Sequence, residues 1–127
     1  MKFTEQEIKD LYYIELSSYK DQRGYLKRNI CLKELEQNKI FFGEIKQSNL
    51  SYNAKAKTLR GFHYQCKPYR EKKIISCLNG SIHNIVIDLR KKSESFLKWK
   101  SFLISEKKDN AILVPEGCAN AFLTLED

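Results

Sequence analysis

An all-β fold of antiparallel strands, arranged as a sandwich or barrel, is predicted by three features of this sequence. Short runs rich in β-branched and aromatic side chains recur along most of the chain, glycines punctuate their ends, and helical periodicity is confined to two brief stretches. With 127 residues, 42% of them hydrophobic, the chain can bury one core and little more, so a single domain over residues 1–127 is expected.

Taken in order, TEQEIKDLYY (residues 4–13) reads as a turn or two of helix. CLKELEQ (31–37) reads as a second, because Leu32 and Leu35 fall three apart. Candidate strands are YIELSSY (13–19), GYLKRNI (24–30), KIFFGEIKQS (39–48), TLRGFHYQ (58–65), EKKIISCL (71–78), SIHNIVIDL (81–89), FLKWKSFLIS (96–105), NAILVP (110–115) and NAFLTL (120–125). Within CLNGSI, Asn79 and Gly80 stand between two apolar runs and both tolerate positive φ, which predicts a β-hairpin over residues 73–88. Pro68 and Pro115 sit where strands should stop or start. There is no internal repeat, low-complexity tract or linker.

Charge and cysteine usage limit the partners. With 23 Lys and Arg against 16 Asp and Glu, the net charge of +7 favours an anionic partner or describes a solvated basic surface. Nucleic acid is disfavoured, because the aromatics are scattered through strand-like runs and no RNP or helix-turn-helix pattern appears. Cys31, Cys66, Cys77 and Cys118 form no C-x-x-C pair, and MKFTEQEIKD is charged where a secretory leader would be apolar. Reduced thiols in a cytoplasmic protein are therefore expected. No apolar run is long enough to span a membrane.

The chemistry concentrates in LRGFHYQCKPYREKK, residues 59–73. Strict strand alternation sends Arg60, Phe62 and Tyr64 to one face, and Leu59, Gly61, His63 and Gln65 to the other. Three readings of His63 stand open here: a structural histidine, a metal ligand or a proton-transfer group. The metal reading is the weakest, because Gln65 and Asn120 are amides where further ligands are wanted, leaving only His83 and Cys66 to complete a set. Lys73 is either a solvated member of the run REKK or a cation beside a neutral imidazole. The latter is the pair needed to draw a proton from carbon next to a carbonyl.

Several segments in register carry a resemblance. QSNLSYNAKAKTLRGFHYQ, then Lys73 seven residues before Gly80, then VIDLR, SESFLKW and ILVPEGCANAF are similar, in order and spacing, to the dTDP-4-dehydrorhamnose 3,5-epimerase family. Its pattern reads Q-x-N, L-R-G-x-H-[YF]-Q, K-L-V, V-D-L-R, S-P-T-F-G-x-W and P-x-G-F-A-H-G-F. DQRGYL also resembles the family's D-x-R-G-x-F, so the likeness covers residues 21–127.

The resemblance implies a cupin-like antiparallel jelly roll that works without a cofactor or metal on a nucleotide-diphosphate sugar, a dTDP-4-keto-6-deoxyhexose, in surface polysaccharide and deoxysugar biosynthesis. It implies His63 as the base beside the ketone and Lys73 as the cation steadying the enolate. Arg60, Gln47, Asn49 and Asn120 are implied as substrate contacts, together with Arg23, which a homodimer would lend to the neighbouring subunit. Arginine suits a diphosphate because its planar donor fork and fixed charge match the oxygens.

The chain also departs from the pattern. Arg28 stands in place of a glutamate, Asn120 of a histidine, Ala121 of a glycine and Asn84 of an aspartate, and LTLED ends the sequence before the family's C-terminal tyrosine and carboxylate. The expectation is an epimerase with reduced or single-position activity, in which Tyr13, Tyr19, Tyr25, Tyr52 or Tyr69 would have to substitute as the opposing acid. The alternative is a non-catalytic cupin that binds a nucleotide sugar or a partner enzyme.

Overall fold

The computed structural model describes all 127 residues. In chain order it contains β1 (Lys2–Glu5), β2 (Tyr12–Glu15), β3 (Ser18–Asp21), β4 (Gly24–Lys27), α1 (Leu32–Gln37), β5 (Leu59–His63), β6 (Lys73–Ser76), β7 (Ser81–Asp88), β8 (Trp99–Ser105), β9 (Asn110–Val114) and β10 (Cys118–Thr124). A 3-10 turn at Glu106–Lys108 joins β8 to β9.

Two four-stranded antiparallel sheets form the body, ordered β1-β2-β9-β6 and β5-β10-β7-β8, and β3 pairs with β4 in a separate ribbon. This is the all-β jelly-roll class read from the sequence, with one short helix. No helix is long and apolar enough to cross a membrane.

Alternation along the strands makes the core. In β7, Ile82, Asn84, Val86 and Asp88 are buried, while the residues between them face outward. Ile82 and Val86 meet Phe102 and Ile104 of β8, Cys118 of β10, and Ile112 and Val114 of β9 across the sandwich. Each such aliphatic side chain, once fully buried, contributes about 1.5–3 kcal/mol. A second cluster lies on the far side of the first sheet, where Ile14, Ala111 and Leu113 are covered by Leu35 of α1 and by Ile40.

Three sequence expectations are corrected. Residues 4–13 are not helical: β1 runs into a turn and returns as β2, in register from Lys2 opposite Glu15 to Glu5 opposite Tyr12. Asp10 at φ +65° and the Gln6 N–H to Leu11 carbonyl bond of 2.8 Å close that turn, while Ile8 and Leu11 anchor it in the core. Their three-residue spacing mimicked a helical face.

Residues 39–48 form no strand, because no sheet edge of this chain pairs with them. Ile40 is buried, but Phe41 is 83% exposed and residues 43–50 lie open to solvent.

Residues 73–88 are two strands but not a hairpin. β6 pairs with β9 and β7 pairs with β10 and β8, so the reversal at Asn79 and Gly80 carries the chain from one sheet to the other. Gly80 takes φ +78°, as such a turn requires, yet the pairing partner is chosen by burial of Ile74 and Ile75 against β9.

Candidate active site

β5 is an edge strand of the second sheet and β6 an edge strand of the first. Lys73 opens β6 opposite Val114, a core residue, which sets it on the inner face with Ile75. His63 closes β5 opposite Asn120, whose other neighbour is Val86, again a core residue. Imidazole and ammonium therefore belong to facing surfaces of different sheets.

Asn120 joins them: its backbone pairs with His63, and its side-chain Oδ1 lies 3.4 Å from the Lys73 Nζ that donates to it. Lys73 also contacts Glu71 Oε1 at 3.0 Å. The His63 ring is exposed and makes no side-chain hydrogen bond within the chain.

Regular alternation would place Arg60 on the face opposite His63, and here that expectation is wrong. His63 stands opposite Asn120 and Arg60 opposite Phe122, so Gly61 and Phe62 together face the single residue Ala121. This bulge inserts one residue and returns Arg60 to the His63 face, since Asn120 and Phe122 are two apart. Gly61 permits it. At φ +113°, a Cβ there would lie 2.7 Å from the Asn120 carbonyl oxygen and 2.8 Å from Ala121 Cα.

Arg60 donates from Nε to Asn53 Oδ1 at 2.5 Å, which leaves its two terminal nitrogens without partners in the chain. The guanidinium edge is thus anchored on one side and open on the other, as suits an anionic ligand.

The remaining predicted residues lie apart. Gln47 and Asn49 are in the exposed segment after α1 and make no hydrogen bond. Arg23 sits in the β3–β4 turn, its guanidinium held by Asp21 at 2.7 and 3.1 Å, and the ribbon is fastened to the 3-10 turn region through Lys27 and Asp109. That anchor is at the Ser76 end of β6, away from Lys73. Among the tyrosines, Tyr13 is a packing residue stacked on Phe102, its hydroxyl accepting from Asn110, and Tyr25 donates to Glu106. Tyr19, Tyr52 and Tyr69 are exposed.

Two contacts escaped the sequence reading. Glu71 carried a signal in its two-residue spacing from Lys73, whereas Asn53, seven residues from Arg60 and outside any strand, carried none.

Other polar groups have structural assignments. Burial alone would raise the Asp88 carboxyl, but hydrogen bonds from Arg90 and Ser95 hold it well below the usual carboxylate range. Burial pushes the Cys118 thiol up to about 12, so it is no nucleophile near neutral pH. His83 points to the outer face of β7, opposite Leu103, and no three His, Cys, Asp or Glu side chains converge as a metal site would require. Asn84 is fully buried between Phe102 and Phe122 with neither amide atom partnered, a burden of about 1–3 kcal/mol.

A two-sheet cupin-type jelly roll, with Lys73 donating to Asn120 and His63 in register with that same asparagine, is the class that fold and site define. Residues 5–127 match the sequence profile of the dTDP-4-dehydrorhamnose 3,5-epimerase family, and the chain belongs to that family. It is 32% identical over 127 residues to the Shigella flexneri dTDP-4-dehydrorhamnose 3,5-epimerase, all of this chain and 70% of the relative.

Among solved structures, the Bacillus anthracis enzyme of the same name, crystallised with TDP and PPi, superposes with a TM-score of 0.91 at 33% identity, over 98% of this chain and 71% of that one. The Legionella pneumophila dTDP-6-deoxy-D-glucose-3,5-epimerase, in complex with dTDP-4-keto-L-rhamnose, gives 0.87 at 27% identity, over 98% and 65% respectively. The chain thus spans about two thirds of the length of these relatives.

Proposed function

We propose that the chain is a cofactor-independent epimerase of a dTDP-4-keto-6-deoxyhexose in deoxysugar and surface-polysaccharide biosynthesis. The single observation that carries this is the link through Asn120, which brings the backbone of His63 and the ammonium of Lys73 to one residue on the inner faces of the two sheets.

In this reading the His63 imidazole takes the proton from a sugar carbon next to the ketone, because histidine is the side-chain type that exchanges protons near neutral pH. The electrons move into the carbonyl, and Lys73 donates a charge-assisted hydrogen bond to the enolate oxygen. Return of a proton from water to the opposite face inverts the carbon. Arg60, on the His63 face through the bulge, holds the diphosphate, with Gln47, Asn49 and Asn120 as further substrate contacts. The four free cysteines fit a reducing, cytoplasmic setting.

Incubation with a dTDP-4-keto-6-deoxyhexose in deuterated water, read by NMR, tests the proposal. Deuterium at C3, C5 or both is expected. Binding of the sugar nucleotide without exchange at either carbon would instead support a non-catalytic cupin, a reading favoured by the lack of any hydrogen bond that orients His63.

A homodimer belongs to the same proposal. The β5 edge is open on one side, and Leu59, Phe62, Phe41, Leu50 and Tyr52 are exposed along β5 and the segment before it, more apolar surface than a free monomer edge usually shows. Arg23, on its separate ribbon, is then available to a neighbour's site. Light scattering should give twice the 15.0 kDa chain mass at working concentrations, and a stable monomer would rule the arrangement out.

A further inference from the structure

The surroundings of Lys73 are poor in negative charge. Its inner-face neighbours on the first sheet are Val114, Ile112 and Ile75, and across the sandwich lie Val86, Asn84, Asn120 and Phe122. Asp88, a carboxylate on that face of β7, is committed to Arg90 and Ser95. An ammonium set against such a wall needs an anion or it turns away toward water.

Glu71 is that anion. It lies two residues before Lys73, its Oε1 sits 3.0 Å from Nζ, it makes no other ion pair, and it is itself only 34% exposed. An ammonium has three N–H donors. One meets Glu71 and one meets Asn120 Oδ1 at 3.4 Å, which leaves a third.

We propose that Glu71 is a positioning residue: with Asn120 it clamps the Lys73 ammonium between the sheets, so that the remaining donor is aimed at the carbonyl oxygen of a bound keto-sugar. The inference rests on the epimerase reading for what that donor meets, but the clamp itself does not. Because Asn84 and Asn120 are both neutral, the counter-charge to Lys73 comes from Glu71, just ahead of its own strand.

Two variants and two readouts test it. In the deuterium-exchange assay, Glu71→Ala should lower kcat about tenfold, as loss of orientation does, with KM and dTDP affinity held within roughly twofold. Glu71→Gln keeps an acceptor at the same reach but not the charge, and should recover only part of that loss. A kcat for Glu71→Ala within twofold of wild type, or a parallel loss of dTDP affinity, would overturn the proposal.

The second readout needs no activity: acylation of the protein by a small amine-reactive reagent, mapped by mass spectrometry with Lys72 as the internal reference. Release of the clamp should speed labelling of Lys73 relative to Lys72 by about threefold, the scale of a part-exposed ion pair. If the wild type exchanges no sugar proton, the epimerase reading fails while this ratio still decides the clamp. An unchanged ratio sinks it.

Discussion

His63→Ala is expected to abolish deuterium exchange at the sugar carbons, with dTDP binding retained. A positioned general base contributes about 10²–10⁴ in rate, and no other imidazole reaches the inner face, since His83 points outward. Arg60→Ala should behave oppositely. Its terminal nitrogens are open to ligand while its Nε is held by Asn53, so truncation removes charge-assisted bonds worth about 1.5–3 kcal/mol, or roughly 10- to 100-fold in KM, with kcat little changed. Steady-state exchange kinetics together with dTDP titration separate the two. If His63→Ala kept a tenth of the wild-type exchange rate, the base would lie elsewhere. If Arg60→Ala lost kcat with KM unchanged, its role would be in the transition state and not in binding.

Gly61→Ala is expected to be the most damaging single-methyl change near the site. The new Cβ would press on the Asn120 carbonyl at 2.7 Å and on Ala121 Cα and Cβ at 2.8 and 2.9 Å, and these contacts are mainly backbone that cannot swing aside. Over-packing of this kind costs about 1–3 kcal/mol, and the φ of +113° adds about 1–2 kcal/mol for any L side chain. The melting temperature should fall by about 10 °C, and the surviving folded fraction should lose exchange activity because Asn120 is displaced. Thermal denaturation and the exchange assay, run on the same preparation, check both. A melting point within a few degrees of wild type would show that the bulge opens without strain.

Much of this was legible in the sequence, for identifiable reasons. Strands such as β7 and β9 announce themselves because burial on one or both faces leaves a β-branched pattern, and α1 is short but correctly bounded. The inner-face place of Lys73 is not legible in the run REKK alone; it follows from its register opposite Val114. What escaped is whatever depends on a partner strand. The Asn79 and Gly80 reversal encodes tight turning but not which edge each arm will join, and the same residues serve a hairpin or a crossing between sheets. The bulge is invisible for a related reason. Arg60 and His63 share a face only because Ala121 stands opposite two residues, a two-to-one count that exists in the register and not in either strand alone. Residues 39–48 carry strand-like side chains, yet a strand also requires pairing with an edge, and they pair with none. The stretch 4–13 reads as helix because a buried turn and a helical face can share a period of three, as Ile8 and Leu11 do here.

The division of His63 and Lys73 between two sheets makes the reach from the proposed base to its proposed oxyanion partner a matter of core thickness. Sheets packed face to face stand about 10 Å apart, a spacing set by the side chains filling the gap. Here those are Ile75, Ile112, Val114 and Val86, buried or nearly so, and directly beside the site residues in register. The hydrophobic interior thus acts as a calliper on the chemistry. A methylene added at Val86 or removed from Ile112 would alter the gap that a sugar ring has to bridge while leaving every polar group in place. If His63 and Lys73 act as proposed, the rate is open to tuning from core positions that carry no polar group, by re-spacing the two walls and leaving the residues that line them unchanged.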